Sequence, residues 1–151
     1  MLILGCGNRE RGDDAAGILV AEKLQQLGIQ AELCPGEATS LVEAWAGIED
    51  VVLVDAVMTG APVGTIQTWD GRRPLASIPT RNSTHGLGVI EAIELARVLH
   101  RLPRRLRVLG IEGRRFEPGT AISPEVDSAV EEVVCRVVQE ANAGQTGSPA
   151  R

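Results

Sequence analysis

Two neighbouring aspartates follow a glycine-rich turn near the start of the chain. The stretch LGCGNRERGDDAAG, residues 4–17, places Asp13 and Asp14 where a short aliphatic run gives way to a helical pattern. A glycine-rich turn at the start of a helix often binds a nucleotide phosphate. Two carboxylates at that point would repel phosphate and would attract a cation or accept a proton from a substrate. The stretch therefore favours an acidic site over a phosphate loop.

Neither common phosphate-binding motif is present in this stretch. The dinucleotide fingerprint G-x-G-x-x-G needs its third glycine at the position of Glu10. The P-loop needs Gly-Lys followed by Ser or Thr, whereas this chain has Gly12-Asp13-Asp14. A nucleotide-binding Rossmann-like domain is thus a minor alternative. If NAD, FAD and ATP do not shift the melting temperature, that result would count against it.

A purely structural role for these carboxylates is an equal alternative. Either Asp13 or Asp14 can cap the first helix, which stabilises a helix by about 1 kcal/mol. Capping explains one acidic residue well and the second less well. The choice between a site and a cap therefore depends on partners elsewhere in the chain.

Two such partners are an aspartate and a histidine that lie next to predicted elements. Asp55 follows the aliphatic run Val51–Val54, where a charge needs a polar pocket or a positive partner to offset its desolvation. His85 lies in STHGLG directly before a predicted helix, while His100 at the far end of that helix is expected to be structural. Together with Asp14 they form a set of two carboxylates and one imidazole. Such a set suits Zn, Ni, Co or Fe with open positions, and equally acid–base chemistry at a carbonyl.

Alternating strand and helix patterns predict the elements that position these residues. Short aliphatic runs predict five strands, at Leu2–Leu4, Ile29–Leu33, Val51–Val54, Gly64–Trp69 and Leu106–Ile111. Apolar spacing of about 3.6 residues predicts helices over Ala15–Leu27, from Thr84 to about Leu99, and from Pro124 to Ala141. Ser40 is a candidate cap for a brief helix through Ala46, and Ser123 is the predicted cap of the last helix.

This alternation predicts an α/β fold: one domain with a mostly parallel, twisted sheet of about five strands and helices on both faces. Residues 1–141 form the predicted domain, and the small, polar residues 142–151 are predicted to be a disordered tail. In such sheets ligands bind outside the carboxyl ends of the strands. Asp14, Asp55 and His85 can all meet at that rim.

Composition excludes several classes of function. The net charge of -5 and the pI near 5.1 argue against binding to nucleic acid or to an anionic membrane, and the basic run Arg101–Arg107 is interpreted as a solvated connection. No stretch of the sequence approaches the ~20 apolar residues of a membrane span. The cysteines, Cys6, Cys34 and Cys135, form no CxxC pair, which favours buried thiols in a reducing cytoplasm over a disulfide framework or structural zinc. Cys6 is a candidate nucleophile, but the two aspartates oppose thiolate formation.

Four segments together resemble the hydrogenase maturation proteases, the endopeptidases that trim the C-terminus of the nickel-iron hydrogenase large subunit. The order and spacing of these segments, from Leu2 to about Val138, are similar to those of that family. The segments are Gly5-Cys6-Gly7-Asn8 with Gly12-Asp13-Asp14 and Gly17; VVLVDA, which ends in Asp55-Ala56; His85-Gly86-Leu87-Gly88, which runs into EAIELAR; and Ser123-Pro124-Glu125-Val126.

The resemblance implies an endopeptidase that removes a C-terminal peptide from the nickel-loaded precursor of the large subunit. It implies Asp14, Asp55 and His85 as metal ligands, with Asp14 and Asp55 also as the catalytic candidates. The metal would be nickel supplied by the client, or another divalent metal in the isolated protein. We expect a cytoplasmic monomer whose partner is the large-subunit precursor.

The mechanism is open at this point. Either a carboxylate activates water as a general base, or bound nickel polarises the carbonyl and the water. The chain has neither an HExxH helix nor a GxSxG elbow. A nickel-sensing module without proteolysis is the alternative function. The charges in Arg9-Glu10-Arg11 bear on client choice, and the loop Gly113–Gly119 is predicted to be solvated, with client contact as its alternative.

Overall fold

A computed structural model describes residues 1–34, 38–74 and 83–146, without the side chains of residues 83–87, 145 and 146. In those ranges five strands form one sheet, flanked by four α-helices. The strands are β1 (Leu2–Cys6), β2 (Ala31–Cys34), β3 (Asp50–Val57), β4 (Ile66–Asp70) and β5 (Arg105–Glu112). The helices are α1 (Ala16–Gln26), α2 (Ala38–Ala44), α3 (Ser83–Val98) and α4 (Pro124–Thr146), and a 3₁₀ turn (Gly12–Ala15) directly precedes α1.

The sheet has the order β2-β1-β3-β5-β4. β1, β2, β3 and β5 are parallel, and β4 pairs antiparallel with β5 at one edge. The carboxyl ends of the parallel strands therefore share one rim, where Cys6 of β1 lies opposite Cys34 and Val57 of β3 lies opposite Glu112. The prediction of a mostly parallel sheet of five strands in one domain is confirmed.

Helices cover both faces of the sheet, as predicted. α1 and α4 pack together on one face, and α2 and α3 pack together on the other. Side chains alternate along each strand, so that Val52 and Val54 of β3 point to α1 and α4 while Val51 and Leu53 point to α2 and α3. Both cores are mainly aliphatic because the chain has few aromatic residues.

α1 lies unusually close to the sheet because glycines face each other at the contact. A β-carbon on Gly17 of α1 would overlap the carbonyl oxygens of Cys6 and Val54, and one on Gly5 would overlap the carbonyl oxygen of Gly17. Only glycine allows main chains to approach this closely. The close approach sets the start of α1, and hence the preceding turn, against the ends of β1 and β3.

Two predicted boundaries near the rim are wrong. β3 extends to Val57 because its last residues pair with β5, so Asp55 lies inside the strand instead of directly after it. α3 begins at Ser83, one residue before the predicted start at Thr84, so the description of His85 as lying before the helix is wrong: it is the third residue of α3. Both residues nevertheless stay near the carboxyl end of the sheet.

Two predictions for polar segments are also wrong. α4 continues to Thr146, so residues 142–146 of the predicted tail are helical, while residues 147–151 lie outside the described residues. The basic run is not a solvated connection throughout, because Arg105 and Arg107 belong to β5. The Arg107 guanidinium donates to Glu140 at 2.9 Å and lies 3.5 Å from the Asp50 carboxylate. None of the helices in the described ranges is long and apolar enough to cross a membrane.

Candidate active site

Asp14 lies in the 3₁₀ turn between β1 and α1. Its side chain is only 6% exposed. The Asn8 amide donates to the Asp14 carbonyl oxygen at 3.2 Å, and the Asp14 amide donates to the Arg11 carbonyl oxygen at 3.0 Å. Gly7 has φ +133, and a β-carbon there would overlap that same Asp14 carbonyl oxygen. The glycine-rich stretch therefore serves to fold the chain tightly around Asp14.

Asp55 lies on β3, and strand alternation turns its side chain to the α2 and α3 face. The side chain is 3% exposed, and its Oδ1 accepts a hydrogen bond from the Ala56 amide at 2.9 Å. Burial raises the pKa of Asp55 well above its ordinary value of 3.8, and the charge of Asp14 raises it further against the effect of the Ala56 hydrogen bond. The structure thus brings Asp14 and Asp55 within electrostatic reach of each other.

His85, the third predicted ligand, is placed by its backbone alone. It lies in the first turn of α3, which packs on the same face of the sheet that Asp55 points to. α3 ends at Val98, and the chain then enters β5 at the amino end of the sheet, so the start of α3 lies toward the carboxyl end. The side chain of His85 lies outside the described residues.

The two carboxylates fit a divalent cation as a partial ligand set. Two buried like charges destabilise each other, and a cation between them would offset both the repulsion and the lost hydration. In the part of the chain that the structure describes, no group of three His, Cys, Asp or Glu side chains is arranged to hold a metal. A metal at Asp14 and Asp55 therefore needs a further donor, and His85 is the predicted one.

The cysteines differ in burial. Cys6 and Cys34 are buried, as predicted, whereas the same prediction for Cys135 is wrong because that residue is exposed on α4. Burial raises the pKa of the Cys6 thiol well above 9.0, and the charge of Asp55 raises it further. Burial and Glu32 raise the pKa of Cys34 to about 11. Neither thiol is a nucleophilic thiolate at neutral pH.

Asp13 has a different role from its neighbour. Its side chain is fully buried and accepts four hydrogen bonds, from the amides of Arg114 (2.8 Å), Arg115 (2.9 Å) and Ser123 (2.6 Å) and from the Ser123 hydroxyl (2.8 Å). Burial raises its pKa, but these hydrogen bonds outweigh burial and hold the pKa below 3.8. The interpretation of Asp13 as a helix cap is wrong, because its partners lie between β5 and α4.

That connection, which contains the loop Gly113–Gly119, is not simply solvated. Phe116 is buried against the core that α1 and α4 share. The backbone amides of Arg114 and Arg115 face Asp13, whereas their side chains are exposed. The prediction of a solvated loop therefore holds for the arginine side chains and fails for the backbone and Phe116.

Sequence reasoning missed Glu112, a second buried carboxylate with several hydrogen bonds at this rim. It ends β5 and accepts hydrogen bonds from the amide of Thr59 at 3.0 Å and from its hydroxyl at 2.5 Å. These bonds hold the segment that follows β3. The signal in the sequence was an acidic residue at the end of the aliphatic run LRVLGI, the same signal that identified Asp55.

A groove of about 320 Å³ lies beside Asp14. It is lined by Gly7, Asn8, Arg9, Ile18 and Leu33. A β-carbon on Gly7 would be 3.6 Å from the Asp14 carboxylate, so the groove and the carboxylate are adjacent.

Comparisons with known proteins agree on one family. The family model described as HycI, hydrogenase maturation protease, matches residues 20–140. The hydrogenase 2 maturation protease of Escherichia coli K12 is 26% identical over 145 residues, which cover 91% of this chain and 88% of that protein. The hydrogenase expression/formation protein HupD of Thiocapsa roseopersicina is 26% identical over 137 residues, which cover 86% of this chain and 62% of that protein.

Solved structures show the same fold. The NiFe hydrogenase maturation protease HybD from Thermococcus kodakarensis superposes with a TM-score of 0.78 at 25% identity, covering 93% of this chain and 97% of that one. The hydrogenase maturating endopeptidase HybD from E. coli superposes with a TM-score of 0.77 at 23% identity, covering 97% of this chain and 93% of that one. The chain belongs to the hydrogenase maturation protease family, a family of endopeptidases, and its α/β fold is that of the solved proteases.

Proposed function

We propose that this chain removes a C-terminal peptide from the nickel-loaded precursor of a nickel-iron hydrogenase large subunit, in the cytoplasm and as a monomer. Family membership supports the reaction class. The observation that carries the proposal is the pair of buried carboxylates, Asp14 and Asp55, whose charges influence each other at the rim of the sheet.

Asp14, Asp55 and His85 would hold the nickel that arrives with the client. Bound nickel supplies a Lewis acid that polarises a carbonyl or a water molecule. Asp55 is a candidate proton acceptor, because a carboxyl group whose pKa is raised by burial accepts a proton from water more readily near neutral pH. Its buried position also keeps bulk water away from that proton.

The test compares nickel-loaded and nickel-free precursor from the same source, with the C-terminal mass followed over time. We expect loss of the C-terminal peptide only from the nickel-loaded precursor, and at least about 1,000-fold slower cleavage by Asp14→Ala and Asp55→Ala. His85→Ala should lose nickel-dependent binding as well. Glu49→Ala is the control, because Glu49 is an exposed carboxylate at the opposite end of β3.

The outcomes separate the candidate functions. Binding of the nickel-loaded precursor without any change in mass would replace the protease with a nickel-sensing module. If the chain neither binds nor cleaves the precursor, both the protease and the sensing module are contradicted. Equal cleavage of the nickel-free and nickel-loaded precursors would support the protease and would contradict a role for nickel in recognising the client.

The groove beside Asp14 is the proposed site for the client peptide. Leu33, 39% exposed, is its apolar wall on β2. We expect Leu33→Ser to raise KM about 5- to 10-fold with kcat within about twofold, because apolar burial contributes to binding without changing the reacting groups. Steady-state kinetics with nickel-loaded precursor measure both constants.

Leu99→Ser is the matched control for that change. Leu99 has a comparable exposure of 47% but follows the far end of α3, away from the groove. An equal rise in KM for the two variants, or a fall in kcat for Leu33→Ser alone, would contradict a binding role for the groove.

A further inference from the structure

We propose that Asp13 is a positioning residue for Asp14: its buried carboxylate fixes the 3₁₀ turn to the segment between β5 and α4. This inference rests on the proposed function for its effect on cleavage, but the positioning itself can be measured separately. Asp13 would touch neither substrate nor metal and would act through the main chain that it shares with Asp14.

The Asp13 carboxylate is saturated with hydrogen bonds from one distant segment. Oδ1 accepts the Ser123 amide, and Oδ2 accepts the Ser123 hydroxyl and the amides of Arg114 and Arg115. The Asp13 amide in turn donates to the Arg115 carbonyl oxygen at 2.7 Å. Side chain and main chain of Asp13 are therefore both attached to the same distant segment.

The main chains of Asp13 and Asp14 cannot move independently of each other. Both residues lie in a 3₁₀ turn of four residues, so a shift in the main chain at Asp13 also moves the main chain at Asp14. On the side away from Asp13, the Asp14 carbonyl oxygen is held by the Asn8 amide. A β-carbon on Gly12 would overlap the Arg115 carbonyl oxygen, so the turn also packs directly on the segment that binds Asp13.

The hydrogen bonds that the Asp13 side chain accepts require a carboxylate. Four donors converge on two oxygens, and each of the two oxygens accepts at least one main-chain amide. Asparagine has the same shape, but its NH2 group would replace one oxygen and face an amide or hydroxyl donor. Asp13→Asn therefore breaks the attachment with almost no change in volume.

The experiment measures amide hydrogen exchange and cleavage kinetics for wild type and Asp13→Asn in the full chain. We expect exchange at the Asn8 and Asp14 amides to become at least about 10-fold faster, because the turn is released locally. We expect kcat to fall about 30-fold with KM within about threefold, since a small misplacement of a reacting group mainly affects the chemical step.

Val130→Ala controls for a general loss of stability. Val130 is fully buried on α4 and is remote in sequence from the turn. It should lower the melting temperature while leaving both kcat and the exchange at Asn8 and Asp14 within about twofold of wild type. If Asp13→Asn does not fold, Ser123→Ala removes one of the four hydrogen bonds and should give a smaller change in the same direction.

The outcomes distinguish this inference from the proposed function. Unchanged exchange at Asn8 and Asp14 in a folded Asp13 variant would overturn the positioning role. Faster exchange without any cleavage by wild type would support positioning and contradict the proposed protease. A loss of kcat in Val130→Ala equal to that in Asp13→Asn would show that the kinetic effect follows stability alone, which also overturns the inference.

Discussion

Replacing Asp55 with asparagine is expected to stabilise the metal-free protein while it abolishes function. Asparagine keeps the shape of the side chain and the acceptor for the Ala56 amide, but it removes a carboxyl group whose ionised form is destabilised by burial and by the charge of Asp14. We expect the melting temperature at pH 7.5 to rise by about 3–8 °C. Cleavage of the nickel-loaded precursor should fall by at least about 1,000-fold, because an amide neither accepts a proton from water nor binds nickel as an anion.

The pH dependence of that stabilisation has a definite sign. In the unfolded chain Asp55 titrates near 3.8, and in the folded protein its pKa is raised well above that value, first by burial and then by the Asp14 charge. Between the two values the folded state binds more protons, so the free energy of unfolding falls as the pH rises. The favourable contribution of protonated Asp55 is complete below the unfolded pKa and is lost as the pH rises through the folded pKa.

Calorimetry between pH 4 and pH 8 tests this expectation. The advantage of Asp55→Asn over wild type should be largest above the folded pKa of Asp55 and should shrink as the pH approaches 3.8. Glu49→Gln, a change of an exposed carboxylate, should show no comparable trend. A less stable Asp55→Asn protein at pH 7.5, or a gain that does not vary with pH, would contradict a charge penalty at this position.

Gly17→Ala is expected to destabilise the fold by about 3 kcal/mol or more, against the usual preference of helices for alanine. The added methyl group would overlap the carbonyl oxygens of Cys6 and Val54. These atoms belong to two adjacent buried strands, so relief requires α1 to move away from the sheet. Urea unfolding followed by circular dichroism measures the loss.

Gly144→Ala is the matched substitution. Gly144 is also helical, but nothing lies within 4 Å of a β-carbon there. That variant should be more stable than wild type by about 0.5–1 kcal/mol, since alanine restricts the unfolded chain and favours the helix. Stabilisation by both substitutions would refute the close approach of α1 to the sheet.

Local pattern was sufficient to predict most of the fold. The aliphatic run Val51–Val54 identified a strand buried on both faces, and alternation with helices predicted a parallel sheet. α4 begins at Pro124, as predicted, with Ser123 at the capping position. The hydroxyl of Ser123, however, donates to Asp13, which no local pattern reveals.

The candidate site was less predictable, because residues of one type have different roles there. Asp13 and Asp14 are adjacent and chemically identical, yet the structure attaches Asp13 to groups 101 to 110 positions later in the chain. The interior position of Asp55 likewise depends on how far β5 extends beside β3. Contacts between distant segments decide these features, and a sequence pattern contains only the neighbours of each residue.

The long separation between Asp13 and its partners also sets a time at which the site can form during synthesis. A ribosome makes the glycine-rich turn early, but Ser123 emerges only after the five strands have been made. Until then the Asp13 carboxylate lacks the two hydrogen bonds from Ser123, and the turn that carries Asp14 is not fully fixed. Because chains are made from the N-terminus onward, the nascent protease would acquire its ordered acidic turn only when synthesis has reached the last helix.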